Sequence, residues 1–171
     1  AHEFFHLWNI KRIRPEIYGP FDYSKPQHSR NLYVSEGMTD YFAYLAVGRQ
    51  GLWTKDIFYE ELAKVIDKHQ SAPGHLITTV EDTSWNNWSP SDNRDHTQIS
   101  YYTKGSLIGL LLDMEIRERT SNRRSLDDVF RRLMEEGGLP KPGFNEEDGF
   151  IKTVQAITAE GKGNTDYEQF F

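Results

Sequence analysis

Residues 2–6 read His-Glu-Phe-Phe-His. Two imidazoles four residues apart on a helix project from one face about one turn apart, so both can reach a single ion. Glu3 flanks that position and is placed to take a proton from water activated there. The same five residues also suit an ordinary amphipathic helix with one buried and one surface histidine, so the remainder of the chain decides between the two.

At 171 residues, 37% hydrophobic and 13% aromatic, the chain can bury a substantial core and reads as one folded domain. Its net charge of −6 argues against nucleic acid as a partner, and Lys11-Arg12-Ile13-Arg14 is too short a basic cluster to overturn that. There is no cysteine, so a metal would be held by His, Asp and Glu alone. The longest apolar run, Leu107 to Leu112, is interrupted by Gly109 and falls far short of the ~20 residues that cross a bilayer. No methionine opens the chain, and His2 lies beside a terminus, where backbone order is poorest. A fragment is therefore expected, with further sequence upstream of Ala1.

Periodicity predicts a mostly helical fold without strands or internal repeats. A first helix is expected to end by Arg14, because Pro15 pushes the preceding residue out of the helical region. A loop to about Arg30 follows. Ser35 is expected to cap a second helix running to about Arg49, with Tyr41, Tyr44 and Leu45 on its apolar face and Gly51 as a left-handed stop. Thr54 caps a third, peripheral helix whose Phe58, Leu62, Val65 and Ile66 fall at helical spacing, before Pro73-Gly74. Residues 74–99, with Trp85 and Trp88, read as a long ordered loop holding one helical turn at most. Tyr101 to Thr120 is the most apolar helix and is expected at the centre. Ser125 and Asp128 suit a capping box for a helix that stops at Gly137-Gly138, and Asn145 opens a last one to about Ala159.

A catalytic metal needs a third protein ligand and an open position. Glu36 is the candidate, followed by Gly37, whose missing side chain permits a close approach. A glutamate also suits a first helical turn through the helix dipole. Asp40, four residues on, shares that face and can reach the second nitrogen of a ligand imidazole, or stand as a surface aspartate. Tyr102 begins the central helix beside Gly105, with Gly109 a turn further on, two glycines that permit tight packing. Its phenol can donate to an oxyanion, or sit at the core's rim.

The chain resembles the glycyl aminopeptidase family of zinc metallopeptidases, distant relatives of aminopeptidase N and thermolysin. Residues 2–15 (HEFFHLWNIKRIRP) are similar to that family's metal helix and its basic continuation. Residues 33–41 (YVSEGMTDY) are similar to the segment with the third ligand, and residues 100–105 (SYYTKG) to the segment with the catalytic tyrosine. The resemblance implies His2, His6 and Glu36 as ligands of one zinc ion, Glu3 as general base and Tyr102 as transition-state stabiliser. Asp40 gains less from it, and Arg12 and Arg14 receive no role. His28, His69, His75 and His96 match no ligand motif and read as loop or surface residues.

The implied architecture is mainly α: the helical subdomain of a thermolysin/aminopeptidase N-like zinc peptidase catalytic domain, spanning residues 1–171. In the family a β-rich region that binds the substrate's amine precedes this unit, and a PDZ module often follows it; neither is in this sequence. The implied activity is removal of glycine or alanine from peptide N-termini, with peptides as the partner. A zinc endopeptidase with the same ligands and a non-catalytic peptidase-like binding module are the alternatives. Manganese or cobalt also suit such a ligand set.

Overall fold

The computed structural model describes residues 1–89 and 92–170. Among them are eight α-helices, joined by single turns of tighter or wider helix, and no strand beyond two isolated bridges, as the periodicity predicts. The helices are α1 (His2–Phe5), α2 (Met38–Arg49), α3 (Lys55–Gln70), α4 (Val80–Trp85), α5 (Arg94–Thr97), α6 (Tyr101–Arg119), α7 (Leu126–Gly137) and α8 (Gly149–Glu160).

Helix α6 is the axis of the fold. Ser100 caps it by accepting from the Thr103 amide, and it packs against α2, α3, α4, α7 and α8. Leu112 and Ile116 are fully enclosed, together with Leu126 and Val129 of α7 and Val154 of α8. Burying each such side chain is worth about 1.5–3 kcal/mol, which is why the most apolar helix takes the centre. Its apolar coat is wider than its buried face, however: Leu111 and Met114 remain exposed.

A carboxyl group lies inside this core. Asp113 accepts from the Tyr41 hydroxyl (2.7 Å), the Leu126 amide (2.7 Å) and Arg117 Nε (3.0 Å). These three donors, one of them a guanidinium, compensate its desolvation, and the carboxylate ties α2, α6 and α7 together. Burial and the adjacent Asp113 push the Tyr41 phenol well above its ordinary pKa.

Several helix boundaries differ from expectation. The first helix does not reach Arg14: α1 closes after one turn, and Ile10 enters the left-handed region (φ 82°), turning the chain back so that its amide bonds Ile13 O. Ser35 is no cap. It lies inside a π turn, Tyr33–Gly37, that starts earlier, and its buried hydroxyl has no hydrogen-bond partner. Residues 74–99 are more helical than a loop with one turn: Thr79 caps α4 through the Asp82 amide, and α5 follows. Pro90 and Ser91 of that stretch lie outside the described residues. Asn145 opens no helix directly; its side chain accepts from the Glu147 and Asp148 amides, and α8 begins only at Gly149. The Thr54 cap, the Ser125/Asp128 capping box and the positive φ of Gly51 are present as expected. Helix α3 is peripheral, with no fully buried residue.

Candidate metal centre

One turn of helix suffices to align the two histidines. His2 Nε2 and His6 Nε2 stand 2.9 Å apart, and Glu36 Oε2 lies 3.2 Å from each. Ligand atoms about 2.0–2.1 Å from a tetrahedral ion are separated by roughly 3.3 Å, so the triangle has the size of one face of a zinc coordination shell. Among the described residues these three side chains are the group able to hold an ion.

The outward nitrogens show which tautomer each ring carries. His2 Nδ1 bonds Asp40 Oδ1 at 2.7 Å and His6 Nδ1 bonds the Asn9 carbonyl at 2.9 Å. Both partners accept only, so both Nδ1 atoms carry a proton and each ring keeps its Nε2 as the atom that can ligate, turned inward. With Nε2 unprotonated, two lone pairs and a carboxylate oxygen at these distances would repel one another, and a cation between them would relieve that repulsion. The donor set, two imidazoles and a carboxylate without thiolate, fits zinc with one position left open.

Glu36 is presented by the π turn, where the backbone is wider than an α-helix. Asp40 follows four residues later in α2 and reaches back to His2. Gly37 and Gly105 let this segment lie directly on the start of α6: a Cβ on Gly37 would come within 2.5 Å of Gly105 Cα and 2.6 Å of Tyr101 O. Gly109 likewise sits under Tyr41.

Tyr102, on the first turn of α6, is thereby brought to the metal side, its ring centroid 6.2 Å from that of His2. Burial first, and then the negative charge of Glu36, raise the pKa of its phenol above the ordinary range. Glu3 lines the same cleft, about 420 Å³, with His2, His6, Glu36 and Tyr102, and is exposed to solvent there. Through Ile10, Glu36 and Tyr102 the cleft adjoins a second cavity of about 430 Å³ walled by Tyr18, Phe21 and Trp88. A larger cavity, about 580 Å³, lies elsewhere, on the Phe5, Phe42 and Phe130 side, and holds none of these groups.

The structure thus brings His2, Glu3, His6, Glu36, Asp40 and Tyr102 together and leaves the remaining histidines apart. His28 bonds Trp85 O, His69 and His75 face one another, and His96 is exposed. Arg14 is buried with its guanidinium over Phe21. Sequence reasoning passed over Asn9, which is almost fully enclosed and bonded to both ligand segments. Its place three residues after His6 is the only local signal it carries.

No curated protein matches the chain. An aminopeptidase N family protein from Idiomarina loihiensis superposes with a TM-score of 0.87 at 26% identity, covering 99% of this chain and 28% of that one. The chain therefore spans little more than a quarter of its structural relative. No helix among the described residues is long and apolar enough to cross a membrane. Residues 1–108, which carry every side chain of the candidate centre, match the M61 glycyl aminopeptidase family, and the chain belongs to that family of peptidases.

Proposed function

We propose that the chain carries the metal centre of a zinc-dependent aminopeptidase that removes glycine or alanine from peptide N-termini. The observation that carries the reading is the triangle of His2 Nε2, His6 Nε2 and Glu36 Oε2, with both Nδ1 protons already committed to Asp40 and Asn9. Zinc held there would supply Lewis acidity that polarises the scissile carbonyl and acidifies the attacking water.

The chain's own groups divide the remaining work. Glu3 takes the proton from the attacking water and returns it to the leaving amine. Tyr102 donates to the oxyanion as the carbonyl becomes tetrahedral, an interaction typically worth ~3 kcal/mol. Asp40 holds the His2 ring in the orientation and tautomer that ligation needs. Selection of a free N-terminus requires a group that binds the substrate's amine. That group is proposed to lie in the part of the protein beyond this chain, so residues 1–171 alone should show little aminopeptidase activity.

The test is zinc content together with hydrolysis of glycyl, alanyl and bulkier aminoacyl substrates, and of N-blocked peptides, by the protein in its full length. Stoichiometric zinc with turnover of glycyl and alanyl substrates is expected. Cleavage of N-blocked peptides at internal bonds would replace the aminopeptidase reading by an endopeptidase one. Zinc-independent hydrolysis would remove the zinc reading, and no hydrolysis at all the catalytic one.

A further inference from the structure

Asn9 touches both halves of the ligand set. Its carbonyl accepts Nδ1–H of His6 at 2.9 Å. Its side-chain amide donates to Val34 O (2.9 Å), Ser35 O (3.0 Å) and Thr39 Oγ1 (3.0 Å). Val34 and Ser35 are the two residues immediately before Glu36, so one residue grips the backbone that carries the third ligand and the ring that is the second.

The orientation of the amide is fixed by chemistry. Two backbone carbonyls can only accept, so the NH2 group must face them. Thr39 spends its own proton on Ser35 O (2.7 Å) and therefore offers Asn9 a lone pair. These carbonyls belong to the π turn, where intrahelical bonding is irregular, so the side chain supplies donors where the turn lacks them. Asn9 is also the last residue before the left-handed Ile10, where the turns that follow α1 end and the chain reverses. A β-branched residue in that region is strained, and it persists only where the surroundings hold it.

We infer that Asn9 is a positioning residue that locks the His6 ring and the Glu36 backbone into one register, so that the metal site is built before any ion arrives. The inference rests on the metal reading proposed above but concerns a residue that would not itself touch the ion. Asparagine suits the task because it offers two side-chain protons and a backbone acceptor within one short, enclosed residue. Alanine keeps the backbone acceptor and loses the grip on residues 34 and 35.

The test compares Asn9→Ala with Val129→Ala, a cavity variant in the α7 core, fully enclosed and away from the cleft. Zinc affinity is read by chelator competition, thermal stability without metal in parallel, and the His6 tautomer by 15N NMR. Expected are a loss of about tenfold or more in zinc affinity for Asn9→Ala, the size typical of contacts that orient a ligand, and none for Val129→Ala. His6 should hold a single Nδ1-protonated tautomer in the wild type and in Asn9→Ala alike, because the backbone carbonyl that accepts its proton is kept; the loss then belongs to the grip on residues 34 and 35. Equal zinc affinity of Asn9→Ala and wild type, or an equal loss in Val129→Ala, would overturn the inference. If Asn9→Ala does not fold, Asn9→Ser, which keeps a hydroxyl donor, is read in the same way. If the wild type bound no zinc, the metal reading would fail, while the backbone amide shifts of residues 34–36 in metal-free Asn9→Ala, moved if the side chain holds that segment and unmoved if it does not, would still decide the role of Asn9.

Discussion

Gly37 and Gly105 meet backbone to backbone. A Cβ on Gly105 would lie 2.9 Å from Gly37 Cα and 2.7 Å from Tyr33 O, so neither position has room for a methyl group. The contact sets the π turn that presents Glu36 against the first turns of α6, which present Tyr102. Two segments more than sixty residues apart in sequence thereby deliver the proposed ligand Glu36 and the proposed donor Tyr102 to one cleft.

Gly37→Ala is expected to cost at least about 2 kcal/mol of stability, because the clash is with backbone that cannot rotate away. Glu36 is its neighbour, so zinc affinity should fall as well. Denaturant unfolding and zinc titration check both, and a variant with unchanged stability would show that the helices can separate freely.

Glu3→Gln should keep the metal and lose at least ~10²-fold in kcat of the full-length enzyme, since the side chain lines the cleft without joining the ligand triangle. Zinc content and turnover measured on the same preparation separate the outcomes. Loss of metal together with activity would mean that Glu3 supports the site instead.

Glu36→Gln acts on the other half of the site. A neutral amide replaces the anionic oxygen that stands 3.2 Å from both imidazoles. Zinc affinity should fall by more than the roughly 10-fold to 100-fold that orienting contacts are worth. An unchanged dissociation constant would remove Glu36 from the ligand set.

Tyr102→Phe deletes one hydroxyl at the rim of the cleft. Turnover should fall by about 10²-fold with KM, zinc content and melting temperature little changed, the pattern of a hydrogen bond made only in the transition state. Unaltered kcat would leave Tyr102 as a packing residue beside His2.

Much of this was legible because it depends on short spacings. His2 and His6, Glu36 and Asp40, Ser125 and Asp128 each lie within one helical turn of their partner, where geometry follows from sequence. The central place of α6 follows from its composition. What could not be read depends on distant contacts. Ile10 is among the residues least suited to positive φ, so nothing local announces the break after α1. Ser35 looks like a cap, but Asn31 and the π turn begin the helix earlier. The short helices α4 and α5 offer too few residues for a period to show. Asn9 acquires its role only when residues 34, 35 and 39 arrive beside it.

Away from the cleft, Arg49 at the end of α2 and Asp127 in the first turn of α7 form a two-pronged pair at 2.7 and 2.8 Å. The hydrogen bonds from Arg49 lower the Asp127 pKa below its ordinary 3.8. A carboxylate with a depressed folded pKa contributes stability above the unfolded value and loses it as pH falls through the folded one. Arg49 is largely exposed, so solvent screens the pair and its worth at pH 7 is at most about 1 kcal/mol. Asp127→Asn should therefore be less stable than wild type at pH 7 by up to that amount. The difference should shrink as pH drops below 3.8 towards the depressed value, and shrink also in high salt. Chemical denaturation of both proteins across that range is the measurement. A deficit that persists once wild-type Asp127 is protonated would assign the loss to packing at the start of α7 rather than to charge.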